Sequence, residues 1–115
     1  MLTQATVTIA NGESLSPALM FGQDFWPVRM SVDAAWDTNV ITFQGSYDGT
    51  NFFDIDNPED NSEYQLPSTA ASKSHNLKYQ NFAGFKALKV RSGTAASPVN
   101  QNGATTVTFT LLYVG

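Results

Sequence analysis

The stretch from residue 40 to residue 55 constrains the fold most strongly, because its apolar side chains alternate with polar ones on both sides of a tight-turn signal. Asp48 and Gly49 form that signal. Glycine supplies the positive φ that a short loop needs, and aspartate accepts hydrogen bonds from nearby backbone amides. The pattern predicts an antiparallel β-hairpin, which specifies a fold but no chemistry.

The parity of the alternation predicts the register of this hairpin. A loop of odd length places Phe43 opposite Ile55 and Gly45 opposite Phe53, so that the apolar side chains share one face. A two-residue loop would place Phe43 opposite Asp54, so that apolar and charged side chains would share one face of the hairpin. We therefore expect Phe53 to be buried in the space that Gly45 leaves free, and the preceding phenylalanine to lie outside the core.

Length, composition and charge exclude several classes of protein. The 115 residues suffice for one domain with one core, residues 1–115, and only 14% of them are charged. No stretch has helical periodicity, a signal peptide's layout or 18 consecutive apolar residues. The absence of cysteine excludes disulfides and thiolate metal sites and is compatible with a reducing cytosol. A net charge of −4 argues against binding to nucleic acid or to a membrane.

Alternation predicts further strands along the chain. Seven to eight short strands without a long helix predict an all-β protein, an antiparallel two-sheet sandwich of the jelly-roll type. Residues 1–12 are expected to form a first strand or an arm. The other strands are expected in residues 24–32, 40–46, 52–55, 62–66, 85–92 and 105–113, with a short strand or an arm in residues 13–24.

The segments between these strands carry specific expectations. Pro27 indicates an edge position or a bulge, and Trp36 is expected to close one end of the sandwich. Residues 68–76 are expected to be a mobile surface loop, and residues 81–84 a single helical turn that Asn81 caps and a left-handed glycine ends. The predicted core consists of Val7, Ile9, Trp26, Val28, Met30, Ile41, Phe43, Phe53, Ile55, Leu88, Val90, Val107, Phe109 and Leu111.

Four segments together resemble a family of small tailed-phage virion proteins and prophage proteins of unknown activity. They are residues 34–36 (Ala-Ala-Trp), 41–50 (Ile-Thr-Phe-Gln-Gly-Ser-Tyr-Asp-Gly-Thr), 82–84 (Phe-Ala-Gly) and 88–101, which begins Leu-Lys-Val-Arg-Ser-Gly-Thr. The resemblance implies a jelly-roll-like sandwich that sits on the virion as a capsid decoration (cement) protein or an accessory component. It implies no catalytic residue and no cofactor. The expected partners are the major capsid protein and further copies of the chain, and the expected location is the capsid surface after synthesis in the host cytoplasm.

Two alternatives come from other classes. A carbohydrate-binding or receptor-binding module of a tail or fibre would use Trp36, Tyr47 and Phe52 to stack on a sugar, although buried or rim aromatics are commoner. A hydrolase has little support, since the single histidine, His75, lies in a polar segment without a catalytic motif. The acidic residues from Asp54 to Glu63 do not fit a calcium loop, and a solvated loop is the better interpretation.

The distribution of charge suggests a mode of self-assembly. All ten acidic residues lie between Glu13 and Glu63, and five of the six basic residues lie between Lys73 and Arg91. If the two groups form separate patches, the acidic end of one copy can meet the basic strand of the next in a ring. We expect a homotrimer, a number that rests on the family resemblance. The candidate interface residues are Phe25, Phe52, Lys89 and Arg91, with no metal and no catalytic residue.

Overall fold

A computed structural model describes residues 1–115, apart from the side chain of Ser68, as eleven strands and one short 3₁₀ turn, Tyr79–Asn81. The strands are β1 (Leu2–Ile9), β2 (Leu19–Met20), β3 (Phe25–Val32), β4 (Asn39–Ser46), β5 (Phe53–Asp54), β6 (Asp56–Asn57), β7 (Ser62–Glu63), β8 (Leu66–Thr69), β9 (Ser74–Asn76), β10 (Ala87–Ser92) and β11 (Thr105–Tyr113).

These strands form two antiparallel sheets packed face to face. One sheet has the order β1-β11-β3-β9, and the other has the order β2-β10-β4-β5, with β8 also pairing with β4. The first strand pairs with the last, the second with the second-last, and so on inward to β4 and its partners β5 and β8, which is the pairing of a jelly roll. The predicted all-β sandwich is therefore confirmed. Strands β6 and β7 form a separate two-stranded ribbon.

One hydrophobic core lies between the two sheets. The ring of Phe43 in β4 contacts Phe82 edge-on at 5.1 Å and Phe109 of β11 at 6.4 Å, measured between ring centroids. Phe43 therefore links the two sheets through the core. All of the predicted core residues are buried except Trp26, Val28 and Phe53. The core also contains Trp36, which was expected at one end of the sandwich, and side chains that the sequence interpretation left out: Val32, Tyr64, Leu66, Leu77, Phe82 and Ala87.

Three residues were thus wrongly predicted to be buried. A β-bulge in β3 explains two of these three errors, Trp26 and Val28. Leu111 pairs with Pro27 and Thr110 pairs with Arg29, so Val28 is an extra residue in β3. Because the bulge reverses the inward and outward positions on its N-terminal side, Pro27 is buried and Trp26 turns outward. The Trp26 ring is stacked on Tyr79 at 5.2 Å. A bulge at this place is one of the two features that Pro27 indicated.

The third error concerns Phe53, although the predicted register is correct. Gly45 pairs with Phe53, and the Ile55 amide donates to the Phe43 carbonyl at 3.2 Å. Phe53 is nevertheless 56% exposed. The ring of Phe85 fills the space over Gly45, where a β-carbon would lie 2.6 Å from Cδ2 of Phe85. Phe53 is thus excluded from the core.

The predictions for the connections between strands are confirmed in part. Trp36 is buried, and its Nε1 donates a hydrogen bond to the Thr69 carbonyl at 2.8 Å, as expected for a side chain that closes the core. Residues 68–76 are not only a loop, because β8 and β9 pair with β4 and β3. The 3₁₀ turn begins two residues before Asn81, and its N-cap is Lys78. Gly84 has the expected positive φ of 96°.

Candidate functional site

Three aromatic side chains form a ridge at one end of the β2-β10-β4-β5 sheet. We call Tyr47, Phe53 and Phe85 the aromatic ridge. The Tyr47 ring lies 4.7 Å from Phe85 and 6.3 Å from Phe53, measured between centroids. Tyr47 is 58% exposed and Phe53 is 56% exposed, whereas Phe85 is half-buried and packs against the core. The ridge therefore presents a large apolar surface, and its half-buried member, Phe85, packs against the core.

A groove runs along each side of the ridge. The first has a volume of about 540 Å³ and lies against the turn residues Asp48, Thr50 and Asn51. The second has a volume of about 440 Å³ and lies between the ridge and the 3₁₀ turn, where Gln80 and Asn81 are among the lining residues. Both grooves thus combine aromatic carbon with a few polar groups, a composition suited to holding a side chain or a small molecule.

The turn beside the ridge is held by its own hydrogen bonds. Oδ1 of Asp48 accepts from the amides of Thr50 and Asn51, each at 2.8 Å, and Oδ2 accepts from Nδ2 of Asn51 at 2.7 Å. The Ser46 hydroxyl accepts from the Gly49 amide at 2.8 Å. The bonds that Asp48 accepts, led by the one from the Asn51 backbone amide, hold the pKa of its carboxyl well below the usual range. The carboxylate stays charged, and the turn is pre-organised.

Three of the predicted interface residues lie at the surface but are already partly covered. Nζ of Lys89 lies 4.4 Å from the centroid of the Phe52 ring, a cation–π contact, and both residues are half-buried. Phe25 packs against the core and contacts Tyr113 edge-on at 5.4 Å. Their contact with a partner stays a prediction.

Arg91, the fourth predicted interface residue, is buried and already has acidic partners within the chain. Only 6% of the residue is exposed, and its guanidinium donates to Asp54 at 2.7 Å and to Glu63 at 3.0 Å. Lys78 likewise pairs with Glu59. Because acidic and basic residues that are distant in sequence are neighbours in the fold, the prediction of two separate charged patches is wrong.

The described residues show little that points to metal or acid–base chemistry. Outside the side chain of Ser68, no group of three His, Asp or Glu side chains is placed to hold a metal ion. His75 lies in β9 opposite Met30, half-buried, instead of in an exposed loop. Within the described residues, no helix is long and apolar enough to cross a membrane.

Sequence reasoning found one member of the ridge, Tyr47, and missed the other two, because it placed Phe53 in the core and gave Phe85 no role. Tyr47 and Phe53 flank the turn signal, whereas Phe85 lies at the start of a distant segment. The sequence does contain one sign of a missing neighbour, which is Gly45. A glycine inside a strand often marks the close approach of another group. Leu88 pairs with Gly45, and the ring of Phe85, three residues earlier, lies over it. Trp36, the third aromatic of the sugar-binding alternative, is buried and cannot stack on a sugar.

Comparison with known proteins gives one informative likeness. No family model and no curated protein sequence matches this chain. Among solved structures, the crystal structure of the SPBc2 prophage-derived protein YomS is similar, with a TM-score of 0.54. The alignment covers 96% of this chain and 94% of that chain at 14% sequence identity. At this identity the likeness shows a shared fold over nearly the whole length.

Proposed function

We propose that this chain is a non-enzymatic structural protein of a phage virion, which binds the outside of the head as a decoration (cement) protein. The observation that carries the proposal is the aromatic ridge. Tyr47 and Phe53 are more than half exposed and stand beside a pre-organised turn, so contact with a partner would order few new groups. Aromatic side chains of this kind dominate the affinity of protein interfaces.

The phage context rests on two independent likenesses. Segments of the sequence resemble small virion proteins, and the fold is similar to that of a prophage-derived protein. In the proposed mechanism, the ridge packs into a pocket of the major capsid protein, and the sandwich spans neighbouring subunits of the shell. The added interface would stabilise the closed shell by mass action and raise the barrier to its opening.

Virions from the phage or prophage that encodes the chain provide the test. Antibody to this protein, detected by electron microscopy, should label the head. Virions that lack the protein should release their DNA at a lower temperature, as measured with a DNA-binding dye. Purified wild-type protein should restore the release temperature, whereas the Tyr47→Ser, Phe53→Ser variant should not. Label confined to the tail would contradict the proposal.

The matched control is Val99→Ser, since Val99 is a 40% exposed apolar residue outside the ridge. It should restore the release temperature as wild type does. Equal failure of both variants would indicate a folding defect, which a thermal melt of each free protein distinguishes.

A carbohydrate-binding role for a tail or fibre module is the second candidate. It is favoured by the grooves, in which Asn51, Gln80 and Asn81 lie beside the exposed rings of Tyr47 and Phe53. In that role the rings would stack on a sugar and the exposed amide of Gln80 would bind its hydroxyl groups. Binding to a glycan array that Tyr47→Ser abolishes would support this candidate over the capsid role.

A further inference from the structure

The exposed edge of β1 differs from the other edges of the two sheets. In the described part of the chain, β1 ends its sheet, pairs only with β11 and runs for eight residues, Leu2–Ile9, in continuous register. It contains no charged residue and no proline. The edge strands β2 and β9 have two and three residues. On the remaining edge, β5 carries Asp54 and β8 carries Pro67.

Proteins usually protect an edge strand with charge, proline, a bulge or short length, because its unpaired backbone groups recruit other strands. The three other edges carry such protection, and β1 carries none of it. A long, regular and uncharged edge therefore points to an edge that is used for pairing.

The hydrogen bonds show which backbone groups of β1 are free to pair. The Met1 carbonyl accepts from the Tyr113 amide at 2.9 Å, so the odd-numbered residues of β1 bond to β11. Thr106, which lies opposite Thr8, agrees with this assignment. Its carbonyl accepts from the backbone amide of Asp33, on the side of β11 that faces away from β1. The amides and carbonyls that point to the open edge are those of Leu2, Gln4, Thr6 and Thr8.

We propose that β1 pairs antiparallel with β1 of a second copy about a two-fold axis, joining two four-stranded sheets into one. A second copy is the occupant that the edge fits, because a two-fold axis places each free amide opposite a free carbonyl of the same strand. The absence of charge on β1 removes the like-charge contacts that self-pairing would otherwise create.

The register that uses every free group places Ala5 on the axis. Leu2 then pairs with Thr8 of the second copy, and Gln4 pairs with its Thr6, giving about eight backbone hydrogen bonds. The side chains of these four residues are exposed in one copy. Shifting the register in either direction leaves some of the groups unpaired. This two-fold contact is an alternative to the homotrimer that the family resemblance implies, and it is independent of the proposed capsid role.

Light scattering coupled to size exclusion tests the pairing on the whole chain. Wild type should be a dimer at micromolar concentration. Changing both Gln4 and Thr6 to Lys places lysines opposite lysines and should raise the dissociation constant at least about tenfold. Combining Gln4→Lys with Thr6→Glu places opposite charges together and should restore the dimer. The control Thr108→Lys, on the neighbouring strand opposite Thr6, should leave the dissociation constant within about twofold of wild type.

Disulfide trapping tests the register, and the chain offers a clean background because it has no cysteine. Two Ala5→Cys copies would face each other with their Cα atoms about 4.5 Å apart, within reach of a disulfide. Oxidation with diamide should give a covalent dimer. Thr3→Cys should give none, since the two copies of residue 3 lie about 13 Å apart along the strand. A monomeric wild type, or a dimer that Ala5→Cys does not trap, would overturn the proposal.

Discussion

The ring of Phe85 lies directly over Gly45, and a β-carbon at Gly45 would lie 2.6 Å from Cδ2 of that ring. This contact determines the shape of the candidate site. Because Phe85 occupies the space over the strand, Phe53 remains outside the core and joins Tyr47 on the surface. A missing side chain on β4 thus produces an exposed aromatic ridge.

The first prediction is that Gly45→Ala disrupts this contact. The added methyl group must displace the Phe85 ring, and overpacking of this kind costs about 1–3 kcal/mol in the free energy of unfolding. Urea unfolding measures the loss. Phe85→Ala in the same chain removes the clash, so the double variant should lose less stability than the sum of the two single variants. Additive losses would show that Phe85 does not occupy the space over Gly45.

The second prediction separates two phenylalanines of the same hairpin. Phe43 is fully buried and Phe53 is 56% exposed. Phe43→Ala should reduce the free energy of unfolding by about 3–5 kcal/mol, whereas Phe53→Ala should reduce it by less than about 1 kcal/mol. Thermal or urea unfolding of both variants makes the comparison. Equal losses would restore the interpretation in which Phe53 belongs to the core.

The sequence predicts the sandwich and most of its core because alternation is a local property. Val107, Phe109 and Leu111 in β11 are buried at every second position, as the pattern requires. Alternation fails at Val28, where a bulge reverses the inward and outward positions of the residues before it. Pro27 signals such a bulge without stating which residue is the extra one. Trp26 and Val28 were therefore assigned to the wrong side.

The candidate site depends on contacts that are distant in sequence, and local patterns do not report them. Phe85 meets Gly45 across 40 positions, and Arg91 meets Asp54 across 37. Alternation places Arg91 on the face away from the core. It does not reveal that Glu63 and Asp54 cover that face and bury the guanidinium. The same contacts explain why the uneven distribution of charge along the sequence does not become two patches in space.

The third prediction is that metal ions do not stabilise the protein. Three of the five carboxylates between Asp54 and Glu63 already bind basic groups, since Asp54 and Glu63 contact Arg91 and Glu59 contacts Lys78. Treatment with a chelator should leave the melting temperature unchanged, and millimolar calcium should not raise it. A calcium-dependent increase of several degrees would contradict this. Magnesium at the same ionic strength is the control, because it screens charge–charge interactions to the same extent as calcium does.

The last prediction concerns Arg91 and pH. The Arg91 guanidinium, as a hydrogen-bond donor, lowers the pKa of Asp54 below its usual value. A folded-state pKa below the unfolded value of about 3.9 means that folding favours the charged carboxylate. The resulting stability is fully present above the unfolded pKa, and it is lost as the pH falls through the folded pKa. Arg91→Met should therefore destabilise the protein most at neutral pH.

The expected loss at pH 7 is about 1–3 kcal/mol, because Arg91 is buried while the Asp54 side chain is 47% exposed and partly screened by solvent. Urea unfolding of wild type and Arg91→Met at neutral pH and again near pH 3 should show the difference narrowing in acid. Lys89→Met, on the same strand but without an acidic partner, is the control and should show no such narrowing. A difference between wild type and Arg91→Met that is the same at both pH values would mean that the ion pair contributes nothing and that Arg91 stabilises the fold through packing alone.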